Sequence, residues 1–596
     1  MKKWSKILSV FLALMLAINL LPVHGAEGIV YAAPLERPRL MASPEPVVLP
    51  TELRETLSSQ FAACKQVVDI EKYNLTFNEA VGEALSNLIY YEMAESFHVV
   101  DISIGYYTST RLIANLTVEY GCTASEYKTY LAQCKAVSEE LLAGIKGNAA
   151  LTDVEKALLV HDRLILHCEY DHWYNVTDTK LLEAFSMYGA LVEKRAVCQG
   201  YTAAYDYLME QLGIKSRFCI SDSLEHCWNI ITVGNKEYHV DVTWDDPTIC
   251  EWNFKGEVLH DHFLNSTARC AALHETADFE QIPNNTEYDD AFWVNSYTAF
   301  ILLNGEIYYV DNVAQQLRTW DQQVLASVAD EWDSFDINLV RLGTFNGYLY
   351  LNSAETIYEV DPMCFEAEEI LAPELVGGQQ IYGFAVENGV MVYDLSADLH
   401  TELPSVVRRT APILPYVDLG AGAWYLAGVH YAYRQGLMNG MTATTFAPET
   451  TMSRAMLVTV LYRLSDAPQV SGESPFNDVK DNQWFADAVK WAAQNGIVNG
   501  ITPTTFEPNA PVNRAQLVTI LYRYAQMRGY DTTAEDDLSG FADRTAAPAW
   551  AKDAMEWAVA EGIVNGMAEG NKTYLRYYNS TTRAQVATVL MRYLRG

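Results

Sequence analysis

The sequence predicts a multidomain chain with an α+β region carrying a thiol site, a β-rich middle region and three helical repeats at the C-terminus. Three observations lead there. The chain has 596 residues, more than one hydrophobic core organises, so several units of about 100–200 residues are expected. A motif recurs three times after residue 412. Composition also changes along the chain: all ten cysteines lie at or before Cys364, and Ser405 to Gly596 carries 17 basic and 17 acidic residues, so the net charge of −35 belongs to the first two thirds. With 50% hydrophobic and 20% charged residues, the chain has material for cores and is neither disordered nor fibrous by composition. A field of that sign repels phosphate backbones, so nucleic acid is not expected as a partner.

At the N-terminus, Lys2, Lys3 and Lys6 precede an apolar stretch from Ile7 to Leu21, followed by small-residue cleavage patterns at Val23-His24-Gly25 or Val30-Tyr31-Ala32. This is the pattern of a secretory signal peptide over residues 1–32. The apolar run is short and interrupted by Asn19, whereas spanning a bilayer takes about 20 apolar residues. No transmembrane segment is expected after signal cleavage, so an exported protein would need another means of staying at the surface. Residues 33–50, with Pro34, Pro38, Pro44, Pro46 and Pro50, read as a stiff linker. Residues 51–150 read as a helical accessory region with extended runs such as Val99 to Tyr107, packed on the thiol domain. Export permits disulfides, but if one of ten cysteines is a free nucleophile the other nine cannot all pair. No disulfide framework is expected, although a local pair such as Cys122 with Cys134 stays open.

The thiol site begins at Ala196-Val197-Cys198-Gln199-Gly200-Tyr201. After it Ala204, Tyr205, Leu208 and Leu212 recur at helical spacing until Gly213. That puts Cys198 at a helix N-terminus, where the macrodipole favours a thiolate. Further on, His226 to Val233 and Lys236 to Thr243 flank Gly234-Asn235, a two-residue hairpin turn. With Val233 opposite Lys236, His226 falls opposite Thr243 and Trp228 opposite Asp241. His226 and Asp241 then share one face as diagonal neighbours, about 7 Å apart and within reach of one hydrogen bond. A helix-borne thiol facing an imidazole held by a carboxylate is the arrangement of Cys-His-Asp covalent catalysis. The Cys198 backbone N–H is one oxyanion donor, and Tyr188 is the candidate for the second. Cys219, Cys227, His226 and His239 lack the Cys-x-x-Cys or His-x-x-x-His spacing of a metal site, so no metal or cofactor is expected. Asp245 and Asp246 before Pro247 read as shaping a turn.

At Val197-Cys198-Gln199-Gly200-Tyr201, His226-Cys227-Trp228-Asn229 and His239 to Pro247, the chain resembles the transglutaminase-like superfamily, especially its bacterial transglutaminase/protease-like branch. The resemblance covers residues 151–275, with Leu151 to Lys156 opening the preceding helix. It implies a papain-like α+β fold with the triad Cys198, His226 and Asp241, and a protein or peptide substrate. Cys227 stands where that family usually has a small residue.

From 285 to 403, hairpin signals recur around Asn304-Gly305, Asn346-Gly347 and Asn388-Gly389, set between alternating tyrosines and aliphatics. The region reads as propeller-like blades or a sandwich, a substrate binder or a spacer.

The repeats occupy 412–466, 472–530 and 537–596. Each opens with an Asp and a Trp (Asp418 and Trp424, Asp478 and Trp484, Asp543 and Trp550). Each continues through a helix to a glycine pair ending at Gly440, Gly500 or Gly566, and starts a second helix at Ser453-Arg454, Asn513-Arg514 or Thr582-Arg583. Gly436, Gly496 and Gly562 supply left-handed helix stops, while Ser453, Asn513 and Thr582 are N-caps. Gln516 and Gln585 complete capping boxes that Met456 cannot. These units resemble S-layer homology (SLH) domains. The resemblance implies non-covalent attachment to a secondary cell-wall polysaccharide bearing ketal-linked pyruvate, through Arg454, Arg514 and Arg583 at helix N-termini, with Gly440, Gly500 and Gly566 in the binding loops. Trp424, Trp484 and Trp550 offer a flat face to a sugar ring. Packing of these Arg and Trp residues between repeats is the competing use. The family's Glu is missing from all three copies, and the spacing from Gly566 to Arg583 is longer than its counterpart in repeat one.

Together these readings give a secreted, cell-wall-anchored cysteine acyltransferase or amide hydrolase. The alternative is a non-catalytic, S-layer-associated structural or adhesion protein on an inert scaffold.

Overall fold

The computed structural model describes residues 29–32, 47–173, 181–250, 254–328, 339–365, 367–397, 406–420 and 422–595. The expected signal segment lies outside them except for residues 29–32, and most of the Pro-rich linker lies outside them as well. The chain divides into two units. One holds residues up to 344 with 349–385 and 392–409, and the other holds 345–348, 386–391 and 410–596.

The first unit opens with β1 (Ile29–Tyr31), α1 (Thr51–Ala62), β2 (Val67–Asp69), α2 (Glu79–Asn87), β3 (Val99–Tyr107) and β4 (Ile113–Tyr120). The strands form one antiparallel sheet in the order β1-β3-β4-β2. Region 51–150 therefore sets helices against a sheet, and the expected extended run Val99–Tyr107 is strand β3. Ile102 and Ile104 alternate with Asp101 and Ser103, and with Val99 they are buried in one core with Leu53, Leu57 and Phe61 of α1. Ile29–Tyr31, within the expected signal segment, pairs antiparallel with Gly105–Tyr107.

Next come α3 (Ala124–Leu141) and α4 (Asp153–His167), each opened by a capping box, Thr123 with Glu126 and Thr152 with Glu155. A short parallel pair, β5 (Glu169–Tyr170) and β6 (Arg195–Ala196), leads into α5 (Cys198–Leu212), which Gly213 ends at φ 75°. An antiparallel sheet follows, β7 (Ser216–Ser221), β8 (His226–Val233) and β9 (Lys236–Val240), and then α6 (Thr267–Leu273). The register is the expected one: Val233 faces Lys236 across Gly234 and Asn235, whose φ values of 55° and 65° make the two-residue turn. Tyr201, Ala204, Tyr205 and Leu208 on α5 pack into one core with Leu158 of α4 and Ile231 of β8.

The middle region folds as antiparallel meanders. β10 (Ile301–Leu303), β11 (Glu306–Asp311), β12 (Gln316–Thr319) and β13 (Val324–Ser327) form one sheet in chain order. A second holds β14 (Leu342–Phe345), β15 (Tyr348–Asn352), β16 (Ile357–Val360) and β17 (Ala367–Leu371). A third holds β18 (Gln380–Glu387), β19 (Val390–Ser396) and β20 (Val407–Pro412). Each expected Asn-Gly pair sits at a hairpin with both φ values positive.

In the second unit each repeat is a helix pair: α7 (Leu426–Arg434) with α8 (Arg454–Leu464), α9 (Ala486–Gln494) with α10 (Arg514–Arg528), and α11 (Lys552–Ala560) with α12 (Arg583–Arg595). The caps are as expected. Ser453 accepts from Met456 N–H alone, while Asn513 with Gln516 and Thr582 with Gln585 bond reciprocally. The longer loop of the third repeat is taken up by a hairpin, β21 (Met567–Glu569) and β22 (Lys572–Tyr574).

Candidate functional site

Cys198 is the first residue of α5, with extended Val197 as its N-cap. From β8, His226 donates from Nε2 to Asp241 Oδ2 at 2.6 Å, which leaves its other ring nitrogen for the Cys198 sulfur, also its hydrogen-bond partner. Asp241 directly follows β9, and its Oδ1 accepts the backbone N–H groups of Thr243 and Trp244 at 3.1 and 3.2 Å. The structure thus brings Cys198, His226 and Asp241 into one chain of contacts, as the hairpin register predicts.

The electrostatics are those of an ion pair. The Cys227 thiol hydrogen-bonded to Cys198, and then His226 beside it, hold the Cys198 thiol well below its ordinary range against the opposing effect of burial. Burial works against a charged imidazole at His226, yet the Asp241 carboxylate and the Cys198 sulfur push it up to about 10. Asp241 is also buried, and its histidine contacts keep it far below the usual carboxylate range.

His274, at the C-terminal end of α6, has no counterpart in the sequence reading. Its Nε2 lies 2.9 Å from the same Asp241 Oδ2, its Nδ1 lies 3.0 Å from Cys270 O, and its ring stacks on Trp228 and Trp244. No spacing signal announces it, because 33 residues separate it from Asp241. Asp245 and Asp246 do more than shape a turn, since both are fully buried. Asp245 bonds His161 Nε2 at 3.1 Å and the His262 N–H at 3.0 Å, and Asp246 accepts from Tyr201 Oη and the Thr248 N–H. His161 also bonds Asp162, so two carboxylates outweigh burial and raise its pKa to about 9. Tyr188, the expected second oxyanion donor, has its hydroxyl engaged elsewhere. Its hydroxyl donates to Glu193 at 3.1 Å, and its ring packs between Phe97 and Tyr130.

Two groups have the donor types of a metal site, His226 with Asp241 and His274, and His161 with Asp162 and His260. Contact between elements far apart in sequence assembles them, so spacing rules miss them. In both, the donor atoms are engaged in hydrogen bonds with one another and with backbone carbonyls. The described cysteines are all free thiols, and Cys122 does not pair with Cys134; the sulfur near Cys122 is that of Cys64, 3.8 Å from the Cys122 carbonyl.

The repeats carry the second candidate surface. Trp424, Trp484 and Trp550 are 62, 65 and 54% exposed. The arginines have a different task from the one expected, being only 5, 8 and 5% exposed. Arg454 donates from Nε to Phe506 O at 2.8 Å and from Nη2 to Asn499 O at 3.0 Å. Arg514 donates to Leu575 O at 2.6 Å, and Arg583 to Phe446 O and Asn439 O at 2.9 and 2.6 Å. Each arginine thus reaches the loop of another repeat, the first to the second, the second to the third and the third back to the first. The loop carbonyls need donors once buried, and a guanidinium at a helix start supplies them. The inter-repeat packing use therefore accounts for the arginines. The initial aspartates brace the same loops: Asp418 accepts the N–H groups of Phe446 and Ala447, Asp478 those of Phe506 and Glu507, and Asp543 those of Leu575 and Arg576. Gly440 and Gly500 are required by packing, since a Cβ there would lie 2.3 Å from Thr442 O or 2.1 Å from Thr502 O. Gly566 sits at φ 73° against Thr573.

Residues 415–455, 475–518 and 540–571 match the family model of the S-layer homology domain. The chain is 34% identical over 157 residues to the surface-layer 125 kDa protein of Lysinibacillus sphaericus, which covers 26% of this chain and 13% of that protein. It is 26% identical over 176 residues to an endoglucanase of Bacillus sp. (strain KSM-635), covering 30% of this chain and 18% of that protein. Against the cellulosome-anchoring protein of Acetivibrio thermocellus it is 26% identical over 167 residues, 27% of this chain and 35% of that protein. A solved structure titled as a TGase shares 12% identity and a TM-score of 0.18, covering 33% of this chain and 48% of that one. Among the described residues no helix is long and apolar enough to cross a membrane. The C-terminal third consists of three S-layer homology domains, and the protein is by that module a cell-surface protein.

Proposed function

We propose that this protein is a surface-anchored cysteine acyltransferase or amide hydrolase whose catalytic residues are Cys198, His226 and Asp241. The carrying observation is the 2.6 Å His226–Asp241 bond behind a thiol at the start of α5. The resemblance at residues 151–275 supports a papain-like transglutaminase core. Asp241 holds the His226 tautomer, and His226 takes the Cys198 proton. The thiolate adds to an amide carbonyl, and the oxyanion is met by the Cys198 N–H at the helix start. His226 then protonates the leaving amine, and water or a second amine resolves the thioester.

An electrophilic thiol probe offered to the full chain at neutral pH is expected to modify Cys198 selectively, and this selectivity should vanish in His226→Ala. Equal labelling of Cys198 and the other cysteines would leave the inert-scaffold alternative standing. The pH dependence follows from the two shifts. The reactive thiolate is lost as pH falls through the depressed Cys198 pKa. The imidazolium is lost as pH rises through about 10, far above an ordinary histidine at 6.5. Peptide turnover should therefore trace a bell that stays high at pH 8, and an acid limb with its midpoint near 8.5, where an ordinary thiol ionises, would contradict the ion pair.

The repeats are proposed to hold the protein on pyruvylated secondary cell-wall polysaccharide through the exposed tryptophan faces, with the arginines framing the loops. Replacing Trp424, Trp484 and Trp550 together with Ala should weaken binding to wall fragments by about 100-fold, at roughly 1 kcal/mol or more per ring. Unchanged retention of the triple variant would remove the tryptophans from the binding surface.

A further inference from the structure

Two sulfurs meet at the site, and the mechanism above uses one. Cys227 follows His226 on β8, and both its thiol and its backbone N–H hydrogen-bond the Cys198 sulfur. Thr202, one turn into α5, ties the two backbones together. Its hydroxyl donates to Cys198 O at 2.8 Å and to Cys227 O at 3.1 Å, and lies 3.7 Å from the Cys227 sulfur. One side chain thus bonds the backbones of both cysteines and touches the Cys227 sulfur, which fixes the two residues as neighbours across α5 and β8. Access is asymmetric, because Cys198 is partly exposed while Cys227 is buried. A small oxidant therefore reaches Cys198 first, with Cys227 already at its back.

We propose that Cys198 and Cys227 form a reversible disulfide in which Cys227 resolves oxidised Cys198, making the thiol site sensitive to hydroperoxides at the cell surface. The proposal rests on reading Cys198 as the accessible nucleophile. The Cys198 thiolate attacks a peroxide oxygen, the O–O bond breaks, hydroxide leaves and Cys198 becomes a sulfenic acid. The Cys227 thiol then attacks that sulfur, the S–O bond breaks, water leaves and the S–S bond forms. Two electrons have passed from the sulfur pair to the peroxide, and a dithiol reductant reverses the change. Without Cys227 the sulfenic acid meets further peroxide and proceeds to sulfinic and sulfonic acids, which a dithiol does not reduce.

The test treats the full chain with hydrogen peroxide, alkylates and digests it, and reads peptides by mass spectrometry before and after dithiothreitol. A Cys198–Cys227 linked peptide is expected, with iodoacetamide labelling of Cys198 falling by about tenfold or more and returning on reduction. In Cys227→Ser and Cys227→Ala, Cys198 should instead gain two or three oxygens and stay unlabelled after dithiothreitol. Absence of the linked peptide in the wild-type chain overturns the proposal. So does irreversible loss of Cys198 labelling in wild type to the same extent as in the variants. If the linked peptide forms but unoxidised Cys198 shows no labelling preference, the pair stands and the catalytic reading falls. If both variants fail to fold, the wild-type linked peptide decides alone.

Discussion

Asp241→Asn should lower the rate of peptide turnover, and of Cys198 modification at pH 7, by about 10³–10⁴-fold while leaving the fold intact. The carboxylate accepts from His226 at 2.6 Å, from His274 at 2.9 Å and from two backbone N–H groups. An amide of the same shape keeps the space filled but removes the charge that raises His226 to about 10. Its NH₂ group also favours the wrong tautomer, presenting a donor where His226 needs an acceptor. The alkaline limb of the pH profile should move down toward the ordinary histidine range, a change that simple loosening of the hairpin would not produce. A rate within a factor of ten of wild type, with an unmoved alkaline limb, would remove Asp241 from the relay.

The second large effect concerns the anchor. Arg583→Met should destabilise the C-terminal unit by about 3 kcal/mol or more, because two loop carbonyls, those of Asn439 and Phe446, lose a buried charged donor. For a unit of this size that corresponds to a melting transition lowered by about 6–12 °C in calorimetry of the full chain. The exposed Lys572→Ala serves as the control and should move it little. The seam that Arg583 closes is also a backbone seam, since its N–H donates to Thr450 O and the Ala584 N–H to Pro448 O. Equivalent bonds run from Arg454 and Ala455 to Ala510 and Pro508, and from Arg514 and Ala515 to Asn579 and Tyr577. If Arg583→Met melted like the lysine control, the arginine would be free to serve a ligand instead.

The parts legible in the sequence were those written by local chemistry. Gly234-Asn235 fixes a turn, the turn fixes a register, and the register puts His226 beside Asp241. Cys198 at a helix start follows from the spacing of Ala204, Tyr205 and Leu208. The caps and glycine stops of the repeats are local in the same sense. What escaped was decided by contact across long separations. His274 reaches Asp241 from α6, and His161 reaches Asp245 across 84 residues. The arginines were visible as a repeated position, but their use depends on which loop the next repeat lays over them. Val99 to Tyr107 read as an extended run, yet its place in a four-stranded sheet required partners that no local pattern names. Tyr188 is tied to Glu193, five residues away, a side-chain contact that no pattern in the sequence singled out.

The buried pair Asp245 and Asp246 bears on timing. Asp245 is tied to α4 through His161 and to the following loop through the His262 N–H, while Asp246 is tied to α5 through Tyr201. The Asp241 N–H in turn donates to His262 O. The segment that carries the relay's carboxylate is thus clamped to both helices of the core, and opening it would break several buried charged contacts at once. Its amides are expected among the slowest-exchanging in the unit, and the proposed relay would then need no loop-ordering step before substrate binds.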